Sequence, residues 1–296
     1  MTSAYQHIIR AQARVLQPLP TGVPARLYPL SGLRGVFLDV YGTMFISHSG
    51  EMGTGIASQQ ATAWTAAMEA MGLDVQLSEE AGVGLLHETI RTHHARRRAD
   101  GVEYPEVDIV AVWRDLLGQL HGPDAISQDR CRQVDCCRLA VEYESRANPV
   151  WPMPRLTACL ASLRQANLLL GIISNAQFFT RELFPALLSQ TVEQAGFAAD
   201  LQYYSYRYGR AKPDSFLFQR AKEALESRGV AAEQILYVGN DMLNDILPAK
   251  ACGFRTALLA GDARSLRLRQ DDPRVHGLSA DLVLTSLDDL PQCVVD

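Results

Sequence analysis

Short apolar runs that end in polar residues recur along the chain and predict the strands of a buried sheet. Val36, Phe37 and Leu38 form a continuous apolar run, as expected of a central parallel strand that is covered on both faces. Asp39 follows this run directly, and Gly42 allows the chain to turn away. Further strands are predicted at residues 168–174, 201–205, 235–239, 254–259 and 282–284. Helical segments, among them residues 178–195, alternate with these strands, and this alternation predicts a doubly wound α/β core.

A different pattern fills the stretch from residue 56 to about residue 148, where apolar residues recur at helical spacing and no strand is indicated. Ala63, Trp64 and Ala67 belong to the stripe of the first helix. Three more helices are predicted at residues 85–98, 107–120 and 128–146. Four helices without a strand indicate an inserted helical unit. We therefore predict that residues 1–49 and 150–296 form the core and that residues 50–149 form the insert.

Residues 1–34 are predicted to be an N-terminal arm that carries no chemistry. Ile8, Ile9, Val15 and Leu16 are expected to form one side of a short helix. Prolines at positions 18, 20, 24 and 29 then prevent regular structure. A second irregular stretch, residues 47–55, is rich in Gly and Ser and suits a loop that could act as a lid beside the site. His48 in this stretch is interpreted as a solvated residue.

Composition excludes several classes of protein. The 296 residues carry a net charge of −5, which gives no reason to expect a nucleic-acid partner. No apolar run approaches the roughly 20 residues of a membrane span, and the N-terminus lacks the basic and apolar segments of a signal peptide. The six cysteines have no metal-site spacing and are interpreted as reduced thiols, which favours a cytoplasmic protein.

Polar residues with catalytic potential follow the predicted strands. A carboxylate on a rigid strand end can act as a nucleophile or a metal ligand, or it can merely cap the next turn. Lys212 precedes Pro213, which fits the start of a helix. In chain order the set is Asp39, Thr43, Ser174, Asn175, Lys212, Asp241 and Asp245.

The order and spacing of these residues resemble the four motifs of the haloacid dehalogenase-like (HAD) hydrolase superfamily. The resemblance covers residues 33–49 and 150–290, and the helical insert stands where this superfamily carries its first type of cap domain. It implies a Rossmann-like core with an all-helical cap. It also implies a hydrolase that works through a covalent intermediate.

The resemblance implies a role for each motif residue. Asp39 matches the nucleophile, whose carboxylate forms a covalent aspartyl intermediate. Thr43 and Ser174 match the hydroxyl groups that hold the transferring group. Lys212 matches the lysine that neutralises charge on the nucleophile and the substrate, and Asn175 belongs to the second motif beside Ser174.

Asp241 and Asp245 match the acids that hold Mg²⁺ in the phosphatases of the superfamily. A cation would offset the repulsion between an anionic phosphate and the carboxylate of Asp39. Because Mg²⁺ takes hard oxygen ligands and keeps several waters, we expect it to be bound by Asp39, Asp241, Asp245 and the backbone carbonyl of Tyr41.

Tyr41 departs from the phosphatase pattern. The phosphatases carry a second Asp at this position, two residues after the nucleophile, which protonates the leaving group and later activates water. A phenol is a poor acid or base near neutral pH. The stretch Asp39 to Thr43 is instead similar to the L-2-haloacid dehalogenases, which expel halide without a proton, use no metal, and have Ser and Asn in part of the fourth motif. The Ser174-Asn175 pair suits both groups of enzymes.

We place Mg²⁺-dependent hydrolysis of a small phosphomonoester first, because a dehalogenase has no need of a second carboxylate in the fourth motif. Metal-independent L-2-haloacid dehalogenation is the alternative, and a weakly catalytic protein that binds a phosphorylated ligand is the third interpretation. Each implies a small anionic partner. Arg91, Arg96, Arg97 and Arg98 are candidates to contact it, although a solvated helix end explains this basic run better. Arg264, Arg267 and Arg269 are predicted to lie in a surface loop.

Overall fold

A six-stranded parallel sheet is the centre of the protein. The computed structural model describes residues 3–47, 57–120 and 133–294. The strands are β1 (Gly35–Leu38), β2 (Phe45–Ser47), β3 (Val150–Pro152), β4 (Leu169–Ser174), β5 (Phe197–Tyr204), β6 (Ile235–Gly239), β7 (Arg255–Leu259) and β8 (Leu282–Leu284). The sheet has the order β5-β4-β1-β6-β7-β8 with parallel neighbours, and β2 and β3 form a separate antiparallel pair. The predicted α/β class and its Rossmann-like core are confirmed.

Helices cover the sheet and form the stretch that was predicted to be helical. They are α1 (Ala4–Gln12), α2 (Ala57–Ala70), α3 (Glu79–Ala99), α4 (Ile109–Gln119), α5 (Cys136–Ala147), α6 (Leu156–Gln165), α7 (Leu183–Leu187), α8 (Phe216–Glu226), α9 (Leu247–Ala251) and α10 (Asp289–Val294). No described helix has the length and apolar character needed to cross a membrane. The helix predicted over residues 178–195 ends early, at Leu187, and Ser189 just beyond it has a positive φ of 57°. A left-handed residue of this kind cannot continue a right-handed helix.

Strand β1 lies in the middle of the sheet because its side chains are apolar on both faces. Val36, Phe37 and Leu38 are fully buried, and β1 pairs with β4 on one side and β6 on the other. The carboxyl ends of β1, β4 and β6 therefore meet at one edge of the sheet, where open α/β folds bind their ligands.

Helices α2, α3, α4 and α5 pack around a buried tryptophan. Trp113 of α4 stacks on Trp64 of α2 with ring centroids 5.8 Å apart, and Tyr143 of α5 meets its edge at 5.4 Å. Polar caps set where these helices begin: Ser78 accepts a hydrogen bond from the third residue of α3, and Asp108 and Asp135 cap α4 and α5. The boundaries of the inserted unit stay a prediction. Residues 48–56, with His48, and residues 121–132 lie outside the described ranges.

The N-terminal arm crosses one face of the protein and protects a sheet edge. Ile8 and Ile9 of α1 are buried, and α1 packs on α5 and α7. Val15 and Leu16 lie beyond the helix, where Val15 is 66% exposed and Leu16 is partly buried against the core, so the predicted apolar side is helical only at Ile8 and Ile9. Further along, Arg26 exchanges backbone hydrogen bonds with Val283 of β8 at 2.9 and 3.0 Å. The arm thus covers part of an edge strand that would otherwise present unpaired backbone groups.

Candidate active site

A buried lysine lies between two carboxylates at the carboxyl end of β1. Nζ of Lys212 is 2.9 Å from Oδ1 of Asp39 and 2.5 Å from Oδ1 of Asp245. The hydroxyl of Tyr237 is 3.1 Å from the same ammonium group and donates to Oδ1 of Asp245 at 2.9 Å. The side chain of Lys212 is 3% exposed. These residues come from three separate parts of the sequence, so the sheet topology is what brings them together.

Asn175 holds the backbone of Lys212 in place. Its Oδ1 accepts a hydrogen bond from the Lys212 amide at 2.7 Å, and its Nδ2 donates to the Lys212 carbonyl at 3.1 Å. Asn175 directly follows β4, so the side chain ties the loop before α8 to the end of the neighbouring strand. This amide therefore positions the lysine, and no described hydrogen bond links it to Asp39.

The charges in this cluster stabilise one another. Burial lowers the pKa of Lys212, but the adjacent carboxylates of Asp245 and Asp39 outweigh it and raise the pKa above its ordinary value. Burial raises the pKa of Asp245 to about 6, with Lys212 opposing the rise. Burial and the neighbouring carboxylates also raise the pKa of Tyr237 well above 10. Near neutral pH Lys212 is therefore an ammonium, Asp245 is mostly ionised and Tyr237 is a neutral phenol.

The fourth motif turns the carboxylate of Asp245 inward. Strand β6 ends at Gly239, and residues 242–246 form a π-helical turn. Oδ2 of Asp245 accepts hydrogen bonds from the amides of Asn240 at 2.9 Å and Asp241 at 3.0 Å. Together with the contacts to Lys212 and Tyr237, these bonds occupy both oxygens of the carboxylate.

Asp241 points to different partners. Its Oδ1 caps the turn by accepting from the amides of Leu243 and Asn244, at 2.8 and 3.1 Å. The guanidinium of Arg269 contacts both carboxylate oxygens, with the shortest distance 2.6 Å. Arg269, predicted to lie in a surface loop, is thus one half of an ion pair with a motif residue.

These contacts determine whether the oxygens of the predicted site are free to bind Mg²⁺. Asp241 is neutralised by Arg269, and the oxygens of Asp245 are taken by an ammonium, a phenol and two amides. Within residues 3–47, 57–120 and 133–294, no three acidic, His or Cys side chains are grouped as metal ligands. The donor set in this arrangement does not fit a magnesium ion, and the ligand assignment of Asp39, Tyr41, Asp241 and Asp245 stays a prediction.

Asn240 is a site residue that the sequence reasoning missed. Its Oδ1 accepts a hydrogen bond from the hydroxyl of Thr43 at 3.1 Å, and its Nδ2 donates to the carbonyl of Ser265 at 2.6 Å. The sequence contained a signal for this residue, namely its position directly after a predicted strand. Asn240 is the first residue after β6, just as Asp39 is the first residue after β1. A neutral amide therefore lies beside the turn that follows the candidate nucleophile.

Three predicted site residues, Tyr41, Thr43 and Ser174, are near Asp39 or Asn175 in sequence but form no described hydrogen bond with Lys212 or Asp39. The phenol of Tyr41 is 3.0 Å from the hydroxyl of Thr180, and burial raises its pKa far above its ordinary value. The hydroxyl of Ser174 is 3.4 Å from the carbonyl of Asn175, a weak contact. The roles predicted for Thr43 and Ser174 in holding a transferring group stay predictions.

The basic run of α3 faces solvent. The side chains at positions 91, 96, 97 and 98 belong to exposed residues. Arg91 pairs with Glu88, and Arg96 lies 3.5 Å from Asp115. These contacts fit the interpretation of a solvated helix end, and no described contact links the run to Asp39.

Comparison with known proteins identifies the family. A model of haloacid dehalogenase-like hydrolases matches residues 33–253. The chain belongs to the HAD hydrolases. A search of curated proteins found no match.

Two solved HAD structures illustrate the likeness of the fold. The 2-haloacid dehalogenase from Pseudomonas syringae pv. Tomato DC3000 has a TM-score of 0.59 at 19% identity, over 88% of this chain and 97% of that chain. A HAD phosphatase from Thermococcus onnurineus has a TM-score of 0.51 at 16% identity, over 89% of this chain and 100% of that chain. At these identities the likeness establishes the fold, and the choice between the two chemistries has to come from the site.

Replacing Tyr41 by Phe is expected to lower stability but to leave turnover nearly unchanged. The phenol contacts Thr180, whose hydroxyl also accepts from the Gln177 amide at 3.2 Å and so keeps one partner. Loss of one neutral hydrogen bond costs about 1 kcal/mol of the free energy of unfolding, measured by urea denaturation. If the phenol transferred protons in the reaction, kcat would fall by ~10²–10⁴-fold instead. Thr180→Val, which removes the other partner, is the matched control.

Proposed function

We propose that this HAD hydrolase displaces a leaving group from a small anionic substrate by direct attack of Asp39, without a metal ion. The reaction type is that of the L-2-haloacid dehalogenases. The observation that carries the proposal is the fourth motif, where Asp241 is paired with Arg269 and the amide of Asn240 contacts Thr43. Tyr41 stands where the phosphatases of the superfamily carry their second Asp, and this substitution also supports a dehalogenase-type reaction.

The contacts of Asp39 suit it to nucleophilic attack. Lys212 donates to Oδ1, and among the described residues none donates to Oδ2. Oδ2 is therefore the oxygen that would form the new bond to the carbon that carries the halide. As this C–O bond forms, the carbon–halogen bond breaks and the halide leaves with its electron pair. No proton is transferred, so the buried and neutral Tyr41 is no obstacle to this step.

Lys212 and Asp245 support the second step. Once Asp39 is esterified it has lost its negative charge, and Asp245 remains as the counter-ion of the buried ammonium. Lys212 then faces the ester oxygen that was Oδ1. Water attacks Cγ of Asp39, and the ammonium stabilises the negative charge that develops on this oxygen. The Cγ–Oδ2 bond then breaks, one proton of the water passes to the departing alkoxide oxygen so that the hydroxy acid leaves, and the other proton is released to solvent as the carboxylate of Asp39 is restored.

Charge also favours a singly charged substrate. The cluster has one ammonium against two carboxylates, and Arg269 is already neutralised by Asp241. A doubly charged phosphate ester would meet a net negative site, and like charges at short range are strongly repulsive in a buried environment. A 2-haloacid carries only one negative charge, on the carboxylate bonded to the carbon that reacts, so the repulsion it meets is smaller.

Mg²⁺-dependent phosphomonoester hydrolysis is the second candidate. It is favoured by the position of Asp241, which is close enough to Asp245 to contribute to the rise in its pKa. A bound phosphate and Mg²⁺ would have to displace Arg269 from Asp241 before this acid became a ligand. Weak turnover with ligand binding alone is the third interpretation.

One paired assay separates the three interpretations. Chloride release from L-2-chloropropionate and phosphate release from p-nitrophenyl phosphate are measured in one preparation, with EDTA and with added Mg²⁺. We expect chloride release that EDTA does not affect, that is lost in Asp39→Asn, and that survives in Asp241→Asn, where the new amide can still cap the turn. Phosphate release that needs Mg²⁺ and is lost in Asp241→Asn would replace this proposal with the second candidate. Inactivity on both substrates would favour the binding role.

Oxygen-18 water supplies an independent test of the intermediate. In the proposed reaction water attacks the ester carbon, so repeated turnover places the label in the side chain of Asp39. Hydrolysis of an aspartyl phosphate at phosphorus would place the label in phosphate and leave Asp39 unlabelled. Mass spectrometry of the peptide that contains Asp39 reads out the difference.

A further inference from the structure

A cavity of about 110 Å³ lies among helices α3, α4 and α5 and the segment that follows β4. We call it the helical cavity, and the residues that matter for its chemistry are His87, Glu106, Trp113, Tyr143, Glu144 and Phe179. Asp39 and Lys212 do not line it. For scale, an apolar cavity of about 150 Å³ holds a molecule of benzene. The helical cavity is therefore large enough for a ligand of about five non-hydrogen atoms.

Three buried polar atoms at this cavity have no partner in the described protein. They are Nε2 of His87, Nε1 of Trp113 and the hydroxyl oxygen of Tyr143. Trp113 is 0% exposed and Tyr143 is 4% exposed. Buried polar groups in folded proteins almost always have hydrogen-bond partners. Three unpaired atoms around one cavity therefore indicate a bound molecule that supplies their hydrogen bonds.

The charged and titratable side chains around the cavity indicate the charge of that molecule. Two carboxyl groups, Glu106 and Glu144, line the space, and no Lys or Arg is among its described lining residues. The imidazole of His94 also lines it, and burial lowers the pKa of this group, which favours its neutral form. Glu106 already accepts from Ser205 at 2.6 Å, from Gln177 at 3.1 Å and from the Val107 amide at 3.0 Å. Glu144 accepts only a weak bond from Asn148, at 3.4 Å. Burial raises the pKa of both carboxyl groups to about 7, as expected where no cation is near.

The aromatic side chains that line the cavity favour a positively charged ligand as well. The rings of Trp113, Tyr143 and Phe179 all border the cavity, and the faces of aromatic rings attract cations. Trp113 Nε1–H can only donate, so it needs an acceptor on the ligand, whereas the Tyr143 oxygen and a neutral His87 nitrogen can accept from an ammonium group.

We propose that the helical cavity binds a small organic ammonium ion that also carries an acceptor oxygen, as in a short amino alcohol. The ammonium group donates to Glu144, with Tyr143 and His87 as further acceptors. The oxygen of the ligand accepts from Trp113. With two carboxyl groups and no Lys or Arg among the described lining residues, this cavity disfavours an anion of the kind proposed for Asp39, so the ligand differs from the substrate and the inference does not rest on the proposed reaction.

Isothermal titration of the full chain tests the proposal. The probe is 3-amino-1-propanol, compared with n-butylamine, 1-butanol and butyrate, which are of similar size. We expect the amino alcohol to bind most tightly, n-butylamine more weakly, and butyrate not at all. The Asp39→Asn variant should bind the amino alcohol as the wild type does, which separates this result from any outcome of the activity assays.

Cavity variants show where the probe binds. Glu144→Gln and Tyr143→Phe should each weaken binding by roughly ten- to a hundred-fold, the usual effect of losing one hydrogen bond to a charged group. Ala140→Leu, which places a larger side chain at a lining position, should abolish binding while the circular dichroism spectrum stays unchanged. Absence of binding by both amines, equal binding of butyrate, or unchanged affinity in all three variants would overturn the proposal.

Discussion

Replacing Lys212 by Met is expected to reduce kcat by at least ~10²–10³-fold, the range measured when one group that stabilises charge in a transition state is removed. Lys212 contacts Asp39, the proposed nucleophile, and in the proposed second step it faces the developing oxyanion. Met has nearly the same length but offers no positive charge and no hydrogen-bond donor. The expected loss is therefore in turnover, whichever substrate is used.

The same substitution should also destabilise the fold. It leaves Asp39 and Asp245 buried without their counter-ion, and removing one member of a buried ion pair costs about 3–5 kcal/mol. Without Lys212 to oppose the effect of burial, the pKa of Asp245 in the folded variant would rise further above that in the unfolded chain. The destabilisation should therefore be small at low pH, where this group is protonated, and should grow as the pH rises through its folded pKa.

Urea denaturation at pH 5 and pH 8 checks this pH dependence, with Lys222→Met as the control. Lys222 lies on α8, is 43% exposed and forms only a 3.9 Å contact with Glu226, so its loss should change stability by a few tenths of a kcal/mol. Adding Asp245→Asn to the Lys212→Met variant should restore part of the stability but none of the activity. A Lys212→Met variant as stable as wild type at pH 8 would contradict the buried charge cluster.

The sheet was predictable because burial on both faces leaves a simple mark in sequence. Val36, Phe37 and Leu38 could be recognised as a central strand without knowledge of their neighbours. Strand β5 was harder, because it begins at Phe197, four residues before the predicted start, with exposed residues such as Asp200 in its first half. An edge strand that is only partly covered has no continuous apolar run to mark it.

The site was predictable only as a set of residue positions. Four motifs in order were enough to group Asp39, Lys212 and Asp245, because parallel strand ends meet at one edge of the sheet. Sequence alone could not show which way each side chain points after the strand has ended. Asp241 and Asn240 are adjacent, yet the structure turns the acid to Arg269 and the amide to Thr43. Arg269 is 28 residues from Asp241, so no local pattern predicts their pairing.

Replacing Gly239 by Ala is expected to cost activity and stability together. A Cβ atom at position 239 would lie 2.4 Å from Cγ of Asp245, far inside van der Waals contact. The carboxylate cannot move aside freely, because it is bonded to Lys212, to Tyr237 and to two backbone amides. Overpacking of this kind costs about 1–3 kcal/mol. Because Asp245 holds Lys212, displacement of the carboxylate should also move the ammonium from Asp39, and kcat should fall at least tenfold.

Gly118→Ala is the matched control for this substitution. Gly118 lies in α4, and a Cβ atom there would have no neighbour within 4 Å. Ala favours a helix over Gly, so the control should gain about 0.5–1 kcal/mol of unfolding free energy and keep its activity. Kinetics and urea denaturation of both variants separate a general effect of added methyl groups from a specific collision with Asp245. Wild-type kcat in Gly239→Ala would mean that the position of Asp245 does not control the position of Lys212. In that case a group other than Asp245 would have to hold the Lys212 ammonium beside Asp39 in the proposed second step.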